Sequence, residues 1–172
     1  MINYNIEVEN EFPTWKINNI EIAGIAEKII KFYAQQPQII SRFCLNNYEY
    51  KTVAFDILFC DKTKTHEINR EYRGKDYPAD IITFSLFADS PEDERIIQEF
   101  EINLGEIIIA LDKIQISAEE KQISKETELI FMLSHGIMHL LGFDHQTEEE
   151  FNFVVEQQKK AMESMGIKYD KI

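Results

Sequence analysis

Apolar and polar positions follow two different periods along the first two thirds of the chain. Residues 3–10 carry apolar side chains at every second position, with Tyr4, Ile6 and Val8 on one side, which predicts an edge strand. Three later runs are almost continuously apolar and rich in β-branched and aromatic residues, which is typical of core strands. These runs predict strands over residues 53–60, 81–88 and 104–111.

A segment with helical periodicity lies between the predicted edge strand over residues 3–10 and the predicted strand over residues 53–60. Asn18 or Asn19 can cap a helix whose apolar residues lie on one face as far as Tyr33. Pro37 lies just past the predicted end of this helix.

Three shorter elements complete the middle of the chain. Residues 62–73 predict a short helix with Ile68 and Tyr72 facing inward, and the acidic segment 88–103 predicts an irregular surface loop. Ser117 and Glu120 have the spacing of a capping box, which predicts that a short helix begins there.

The last third of the chain is predicted to be helical. Residues 125–141 are apolar nearly all round, which indicates a buried central helix. Thr147 and Glu150 form another capping box, and the helix that follows is predicted to end at Gly166. Strands interleave with helices, but the helices gather late. This order favours one α+β domain over residues 1–172, with a small mixed sheet of about four strands packed against helices.

Composition narrows the cellular setting. The chain has 172 residues and a formal net charge of −13, which argues against broad nucleic-acid binding and against DNA as a partner. The window 62–75 departs from this average with five Lys/Arg and two Glu. Apolar runs are too short to cross a membrane and the N-terminus does not resemble a signal peptide, so a cytoplasmic location is expected. Cys44 and Cys60 are then expected to be reduced thiols.

Three of the four histidines fall within one short segment. His135 and His139 are four residues apart, so a helix places their imidazoles on one face. Gly142 offers a place for the helix to end and turn, which can bring His145 back to the same point. Three converging imidazoles form a site suited to Zn²⁺ with a fourth position open, as in catalytic zinc sites.

A purely structural role for these histidines is the competing interpretation. Each buried neutral imidazole carries one donor and one acceptor, and an unpaired group costs about 1–3 kcal/mol. The flanking apolar residues supply no side-chain partners, whereas a metal ion satisfies all three acceptors together. The pattern therefore favours His135, His139 and His145 as metal ligands.

The spacing is also similar to the metzincin zinc proteases, whose pattern is His-Glu-x-x-His-x-x-Gly-x-x-His. Here Gly142 is in register with that pattern, but Gly136 stands at the position of the Glu. That Glu is the general base of the proteases. Its absence makes peptide hydrolysis a poor hypothesis and leaves other metal-assisted hydrolysis open.

Three segments in order resemble the YbeY family of rRNA-maturation endoribonucleases. The histidine segment resembles the family signature, residues 68–84 resemble its Asn-x-x-Tyr-Arg-x-Lys-Asp stretch with the strand that follows, and residues 104–107 resemble its Leu-Gly-Asp-Ile strand. The chain departs from the family pattern conservatively, with Ala79 for Thr, Thr83 for Ser and Glu106 for Asp. None of these departures touches a histidine.

The resemblance implies a function and roles for individual residues. It implies a zinc-dependent, single-strand-specific endoribonuclease that matures the 3′ end of small-subunit 16S rRNA and acts in ribosome quality control. It implies one Zn²⁺ on His135, His139 and His145, with His139 and Arg73 as catalytic residues. The implied partners are single-stranded RNA or rRNA and the small ribosomal subunit or its proteins.

Arg73 has a chemical reason to take part in such a reaction. A guanidinium grips a phosphate at two points and stays charged at working pH. The alternative is a surface Arg paired with Glu71 or Asp76. Asp144 next to a ligand either orients an imidazole or caps the turn. The sequence is compatible with either water or the RNA 2′-hydroxyl as the nucleophile.

Two other functions fit the same residues. One is a non-catalytic ribosome-assembly factor in which zinc is structural and the basic window over residues 62–75 docks on rRNA or a ribosomal protein. The other is a metal-dependent hydrolase with a substrate other than RNA. The acidic composition keeps both open, because it suggests that any RNA contact is narrow or that a protein partner delivers the enzyme.

Overall fold

A computed structural model describes residues 1–171 of the chain. A four-stranded mixed sheet with strand order β1-β2-β4-β3 forms its centre. Strands β1 and β4 both run parallel to β2, and β3 runs antiparallel to β4 at the edge. The strands are β1 (Asn3–Asn10), β2 (Thr52–Cys60), β3 (Ile81–Phe84) and β4 (Glu101–Ala110). The predicted α+β architecture with a small mixed sheet is therefore confirmed.

Helices connect and cover these strands. Four of the longer helices begin at a residue whose side-chain oxygen accepts a backbone hydrogen bond, and these caps are Asn18, Asp61, Ser124 and Thr147. The helices are α1 (Asn19–Tyr33), α2 (Pro37–Ile40), α3 (Lys62–Arg73), α4 (Leu86–Asp89), α5 (Leu111–Lys121), α6 (Lys125–Leu140) and α7 (Glu148–Ser164), with a 3₁₀ turn at Glu92–Glu94.

The main core lies between one face of the sheet and helices α1, α6 and α7. Alternate residues of β2 point into it, so Val53, Phe55 and Phe59 are at most 1% exposed. Helix α6 is enclosed on several sides, with Leu133 and Met138 fully buried, which confirms the predicted buried central helix. Each such side chain contributes about 1.5–3 kcal/mol by leaving water. The second face of the sheet is covered at one end by α3.

Gly105 of β4 allows a close approach between β4 and the end of β3. The register between β2 and β4 shifts after Ala54, and Gly105 there has φ +126°. A side chain at Gly105 would collide with the carbonyl oxygen of Phe84. Only glycine accepts both this backbone conformation and this close approach, so β3 can end against β4 and send Ser85 toward α6.

The predicted strand over residues 81–88 is only half correct. Strand β3 stops at Phe84, and the next residues form the one-turn helix α4. Apolar content alone does not distinguish a buried strand from a buried helical turn, and the contact at Gly105 ends the strand here. The predicted loop over 88–103 contains the 3₁₀ turn, but its last residues belong to β4, where Ile102 is fully buried.

Two further expectations are wrong. Helix α5 begins at Leu111 directly after β4, so Ser117 does not cap a helix but lies inside one, where its hydroxyl donates to Glu128 at 2.9 Å. Tyr72 is not inward-facing: it is 67% exposed, and its ring packs edge to face with Phe84. Ile68 does face inward and is partly buried against the sheet, and the fully buried residues of α3 are Thr65 and Asn69, which hold the following loop.

The structure also describes the two cysteines and the apolar character of the helices. Cys44 is half-buried, Cys60 is buried, and both are free thiols. Within residues 1–171, none of the helices combines the length and the apolar character that a membrane crossing requires.

Candidate metal centre and active-site cleft

The structure brings the three histidines of the segment together. His135 and His139 project from the same face of α6, and the turn after α6 returns His145 to them. The ring centroids are 4.5, 4.9 and 5.0 Å apart. One nitrogen of each ring lies within 4.8 Å of the others, so the three rings define one point.

The return of the chain depends on the turn that follows α6. Gly142 has φ +99°, its N–H donates to the His139 carbonyl at 3.0 Å, and Phe143 N–H donates to the Met138 carbonyl at 3.1 Å. Phe143 is 5% exposed and anchors the turn in the core. Asp144 then accepts the backbone N–H of His145 at 2.8 Å. Of the two roles considered for Asp144, its hydrogen bonds show the one that caps the turn.

Burial keeps the two helical imidazoles in their neutral form. Burial is the main cause that lowers the pKa of His139 to about 4, and His135 and His145 nearby lower it further. Burial also lowers the pKa of His135, although the hydrogen bond to Gln158 partly offsets this effect. At neutral pH both rings therefore present a lone pair, which is the form that binds a metal.

Gln158 on α7 fixes which nitrogen of His135 carries that lone pair. Its amide nitrogen donates to the Phe131 carbonyl at 3.0 Å and to the Ser134 hydroxyl at 3.2 Å. A carbonyl only accepts, so this orientation of the amide is required, and Oε1 faces His135 Nδ1 at 3.0 Å. Nδ1 must then hold the proton, which leaves the Nε2 lone pair of His135 facing the site.

The sequence analysis missed Gln158 as a functional residue. The signal was one amide within an otherwise apolar stripe of the last helix, at a position that is fully buried. Backbone contacts of α6 support the same geometry. The Ser85 hydroxyl donates to the His139 carbonyl at 2.9 Å, and the fully buried Tyr33 donates to the Ser134 carbonyl at 3.0 Å.

Gly136 has a packing role in this helix. A Cβ at this position would lie 3.0 Å from two carbons of Ile107 and 3.1 Å from Ile81. Helix α6 therefore approaches β3 and β4 at a distance that only glycine permits without movement of these side chains. The glutamate that metzincin proteases carry at the matching position would require the Ile107 and Ile81 side chains to shift.

The donor set fits a divalent metal ion. The Nε2 atoms of His135 and His139 are 2.9 Å apart, and two lone pairs at that distance repel unless a proton or a cation lies between them. Zn–N bonds of about 2.0–2.1 Å in a tetrahedron separate two ligand nitrogens by about 3.3 Å, close to this value. The three-histidine group can therefore hold a metal ion.

A cleft of about 400 Å³ opens above the three rings. Arg73, the last residue of α3, lies on its wall together with Thr83 of β3, whereas Glu106 lies outside it. The remaining walls come from the start of β3, the α4 region and the turn after α6. The lining residues are Arg73, Ile81, Thr83, Ser85, Asp89, His135, His139, Gly142, Phe143, Asp144 and His145.

The exposed Arg73 keeps its charge free for this cleft. None of the ion pairs formed within residues 1–171 involves Arg73. Asp76, one of its two suggested partners, instead bonds His66 at 2.8 Å and Arg70 at 3.1 Å, and these two bonds lower the pKa of Asp76. Gly74 at φ +64° ends α3 directly after Arg73.

The loop after Arg73 is held by two buried residues. The Asn69 amide donates to the Tyr77 carbonyl at 2.9 Å. Thr65 donates to the Ala79 carbonyl at 2.8 Å and accepts the N–H of the same residue. The end of α3 is therefore fixed relative to β3, which holds Arg73 at the edge of the cleft.

Comparisons with known proteins agree on one family. The sequence profile described as Endoribonuclease YbeY matches residues 7–166. The chain is 34% identical to Endoribonuclease YbeY of Bacillus pumilus over 151 residues, which cover 86% of this chain and 95% of that one. It is 41% identical to Endoribonuclease YbeY of Bacillus licheniformis over 112 residues, 64% of this chain and 71% of the relative.

A solved structure shares the fold. The solution structure of TM1509 from Thermotoga maritima superposes with a TM-score of 0.53, covering 95% of this chain and 91% of that one, at 20% identity. This likeness concerns the fold alone. The profile match and the relative from Bacillus pumilus, taken with the converged histidine segment, show that the chain belongs to the YbeY endoribonuclease family.

Proposed function

We propose that this chain is a zinc-dependent endoribonuclease that cleaves single-stranded RNA. The observation that carries the proposal is one cleft that contains both a three-histidine group and Arg73, which forms no ion pair within residues 1–171. His135, His139 and His145 are the proposed metal ligands, and Arg73 and His139 are the proposed catalytic residues. Family membership supports the reaction class, because the matched relatives are named endoribonucleases.

Zinc is the metal that this donor set favours. Three neutral imidazoles and an open position match catalytic zinc sites, whereas Mg²⁺ and Ca²⁺ prefer oxygen ligands. When bound, the metal would polarise a phosphodiester oxygen and increase the acidity of an attacking hydroxyl or water. Gln158 and the Ser85 hydroxyl would hold His135 and His139 in place for this role.

Arg73 supplies the charge that a phosphodiester requires. Its guanidinium can donate two parallel hydrogen bonds to non-bridging oxygens and offset the negative charge that develops during cleavage. A lysine at this position would provide a point charge without the two-point geometry. Because α3 and its loop are fixed, the backbone of Arg73 is held at the edge of the cleft before the substrate arrives.

The proposed substrate is the precursor of small-subunit 16S rRNA, cleaved at its 3′ end, with a further role in ribosome quality control. The YbeY family resemblance supports this choice. The small ribosomal subunit or one of its proteins is the proposed partner. A chain of net charge −13 repels most of an RNA surface, so its contact with RNA is expected to be confined to the cleft. Such a contact suits an unpaired RNA segment, or an RNA segment that the partner brings to the cleft.

The experiment compares matched variants on defined RNA. Purified protein is assayed for zinc, then offered single-stranded, duplex and precursor 16S 3′-end RNA. His139→Ala should lose bound zinc and cleavage, and Arg73→Glu should lose cleavage by at least about 100-fold while it keeps zinc. Lys62→Glu makes the same charge change on α3 outside the cleft and should remain active.

The outcomes separate the candidate functions. Cleavage that survives both His139→Ala and Arg73→Glu reveals a contaminating nuclease and refutes the catalytic proposal. Zinc-replete protein that co-sediments with the small subunit without cutting RNA is instead an assembly factor. Zinc-replete protein that hydrolyses only other phosphodiesters is a hydrolase with a non-RNA substrate.

A further inference from the structure

A second groove joins the proposed active-site cleft at Gly142. It has a volume of about 720 Å³ and is formed by residues 41–48 on one side and by the segment after α4 on the other. Gly142 lines both the cleft and this groove. A Cβ at Gly142 would lie 3.4 Å from Cys44 and 3.6 Å from Ala88, so any side chain there would narrow the passage between them.

The groove has a fixed position relative to the histidines. The N–H of Cys44 donates to the Leu141 carbonyl at 3.2 Å, which attaches residues 41–48 to the end of α6. The same turn carries His145 back to the metal centre. A strand that leaves the cleft past Gly142 is therefore next to this groove, because Gly142 lines both.

Of the two arginines that line the groove, only Arg95 donates side-chain hydrogen bonds within residues 1–171. Arg95 donates to the carbonyls of Phe87, Ala88 and Ser90 and to the Tyr48 hydroxyl, so its guanidinium serves the fold. Arg42 is exposed, and none of the ion pairs within residues 1–171 involves it.

Two aromatic rings hold the Arg42 guanidinium in place. Its central carbon lies 5.1 Å from the ring centre of Phe143 and 4.7 Å from that of Phe153. Stacking on aromatic faces fixes the plane of a guanidinium without consuming its N–H groups or neutralising its charge. Phe143 also lines the active-site cleft, so this oriented charge lies next to the site of cleavage.

We propose that Arg42 binds a phosphate of the RNA strand that flanks the scissile bond, on the Gly142 side of the cleft. This inference rests on the proposed endoribonuclease function and extends it to a second phosphate position. Glu92 and Asp93 on the facing side of the groove repel a phosphate there, so the strand runs along the Arg42 side. Arg73 and Arg42 would then contact successive parts of one strand. Arg42 acts here as a positioning residue for longer substrates.

The test measures how cleavage depends on substrate length. Zinc-loaded wild type, Arg42→Ala and Arg42→Lys are compared on a dinucleotide and on an octanucleotide of single-stranded RNA. Lys51→Ala is the matched control, because Lys51 also lies over an aromatic ring, 4.8 Å from the centre of Phe100, but lines neither groove nor cleft. Binding of the labelled octanucleotide is followed by fluorescence anisotropy at several salt concentrations.

The octanucleotide should gain in kcat/KM over the dinucleotide with the wild type and with Lys51→Ala. Arg42→Ala should reduce this gain about 5- to 10-fold and lower the slope of log affinity against log salt by about 0.7, the value for one phosphate of a single strand. Arg42→Lys should recover part of the slope and little of the gain, since lysine does not keep the stacked two-point geometry.

The results also separate this inference from the function on which it rests. An Arg42→Ala protein with the length gain and the salt slope of Lys51→Ala would overturn the second phosphate position while leaving the nuclease function intact. A wild type that neither binds nor cleaves RNA would overturn both. Equal thermal midpoints for the four proteins show that folding does not account for the differences.

Discussion

The orientation of His135 by Gln158 leads to a measurable prediction. Gln158→Leu keeps the volume of a fully buried side chain but removes the oxygen that accepts the Nδ1 proton of His135 at 3.0 Å. In this variant the Phe131 carbonyl still accepts a hydrogen bond from the Ser134 hydroxyl, so the Nδ1–H group of His135 is the main group left without a partner. An unpaired buried donor costs about 1–3 kcal/mol.

His135 can escape this cost by moving its proton to Nε2, which removes the lone pair that faces the metal. We therefore expect zinc affinity to fall about 10- to 100-fold, the range found when a partner of a ligating histidine is lost. Competition with a chromophoric chelator at pH 7.5 measures the affinity. Nitrogen NMR shifts of the imidazole report the tautomer directly.

Two variants make this prediction specific. Gln157→Leu changes the neighbouring buried glutamine, whose side chain contacts Gln38 at 3.4 Å, and zinc affinity should stay within about twofold. Gln158→Glu keeps an acceptor for His135 and should restore affinity, although its second oxygen faces the Phe131 carbonyl and lowers stability. Equal zinc affinity in Gln158→Leu and Gln157→Leu would refute the argument from the tautomer.

Three further predictions concern stability. Gly105→Ala should lower the free energy of unfolding by about 3 kcal/mol or more, because the added Cβ collides with the Phe84 carbonyl of β3. A loss below about 1 kcal/mol in a urea titration would contradict this prediction. The free energy of unfolding of the metal-free protein should fall by up to roughly 3 kcal/mol between pH 6.5 and pH 4, because the pKa of His139 is about 4 in the folded protein and only the unfolded chain binds that proton in this range. His139→Gln should show a smaller loss in the same titration, and an equal loss would exclude His139 as the cause. Lys121→Met should lower the free energy of unfolding by about 3 kcal/mol, because Glu128, whose side chain is 1% exposed, loses its cation at 2.8 Å. Lys31→Met breaks an exposed ion pair and should lower it by less than about 1 kcal/mol. Similar denaturation midpoints for the two variants would contradict the predicted role of the buried pair.

Local patterns predicted the parts of the site that lie within one segment. The spacing of His135 and His139 places both on one helix face, and Gly142 predicts the turn that returns His145, because each step depends on neighbours within ten residues. The partner of His135 could not be predicted in this way. Gln158 lies 23 residues further along, on a helix whose apolar stripe is compatible with many packings.

The errors in the fold have the same origin. Strand β3 ends at Phe84 because Gly105, on another strand, brings its backbone close to the Phe84 carbonyl. The residues after Phe84 have no pattern of their own that separates strand from helix. Tyr72 was assigned to the core by helical spacing, yet the sheet is covered by the part of α3 near Thr65 and Asn69, and the last turn extends beyond it. Tertiary contacts decide both cases.

The structure also shows how an acidic chain can be proposed to act on RNA. Burial lowers the pKa of His135 and of His139, so these two rings are neutral at neutral pH and do not oppose a bound cation. Asp76, which could neutralise Arg73, is occupied by His66 and Arg70 instead. Within residues 1–171, Arg73 therefore keeps a positive charge outside any ion pair on the wall of the cleft, while the chain as a whole carries a net charge of −13. For the proposed endoribonuclease, recognition would then depend on a few phosphates at defined positions, which favours a single strand that can enter the cleft over a rigid duplex.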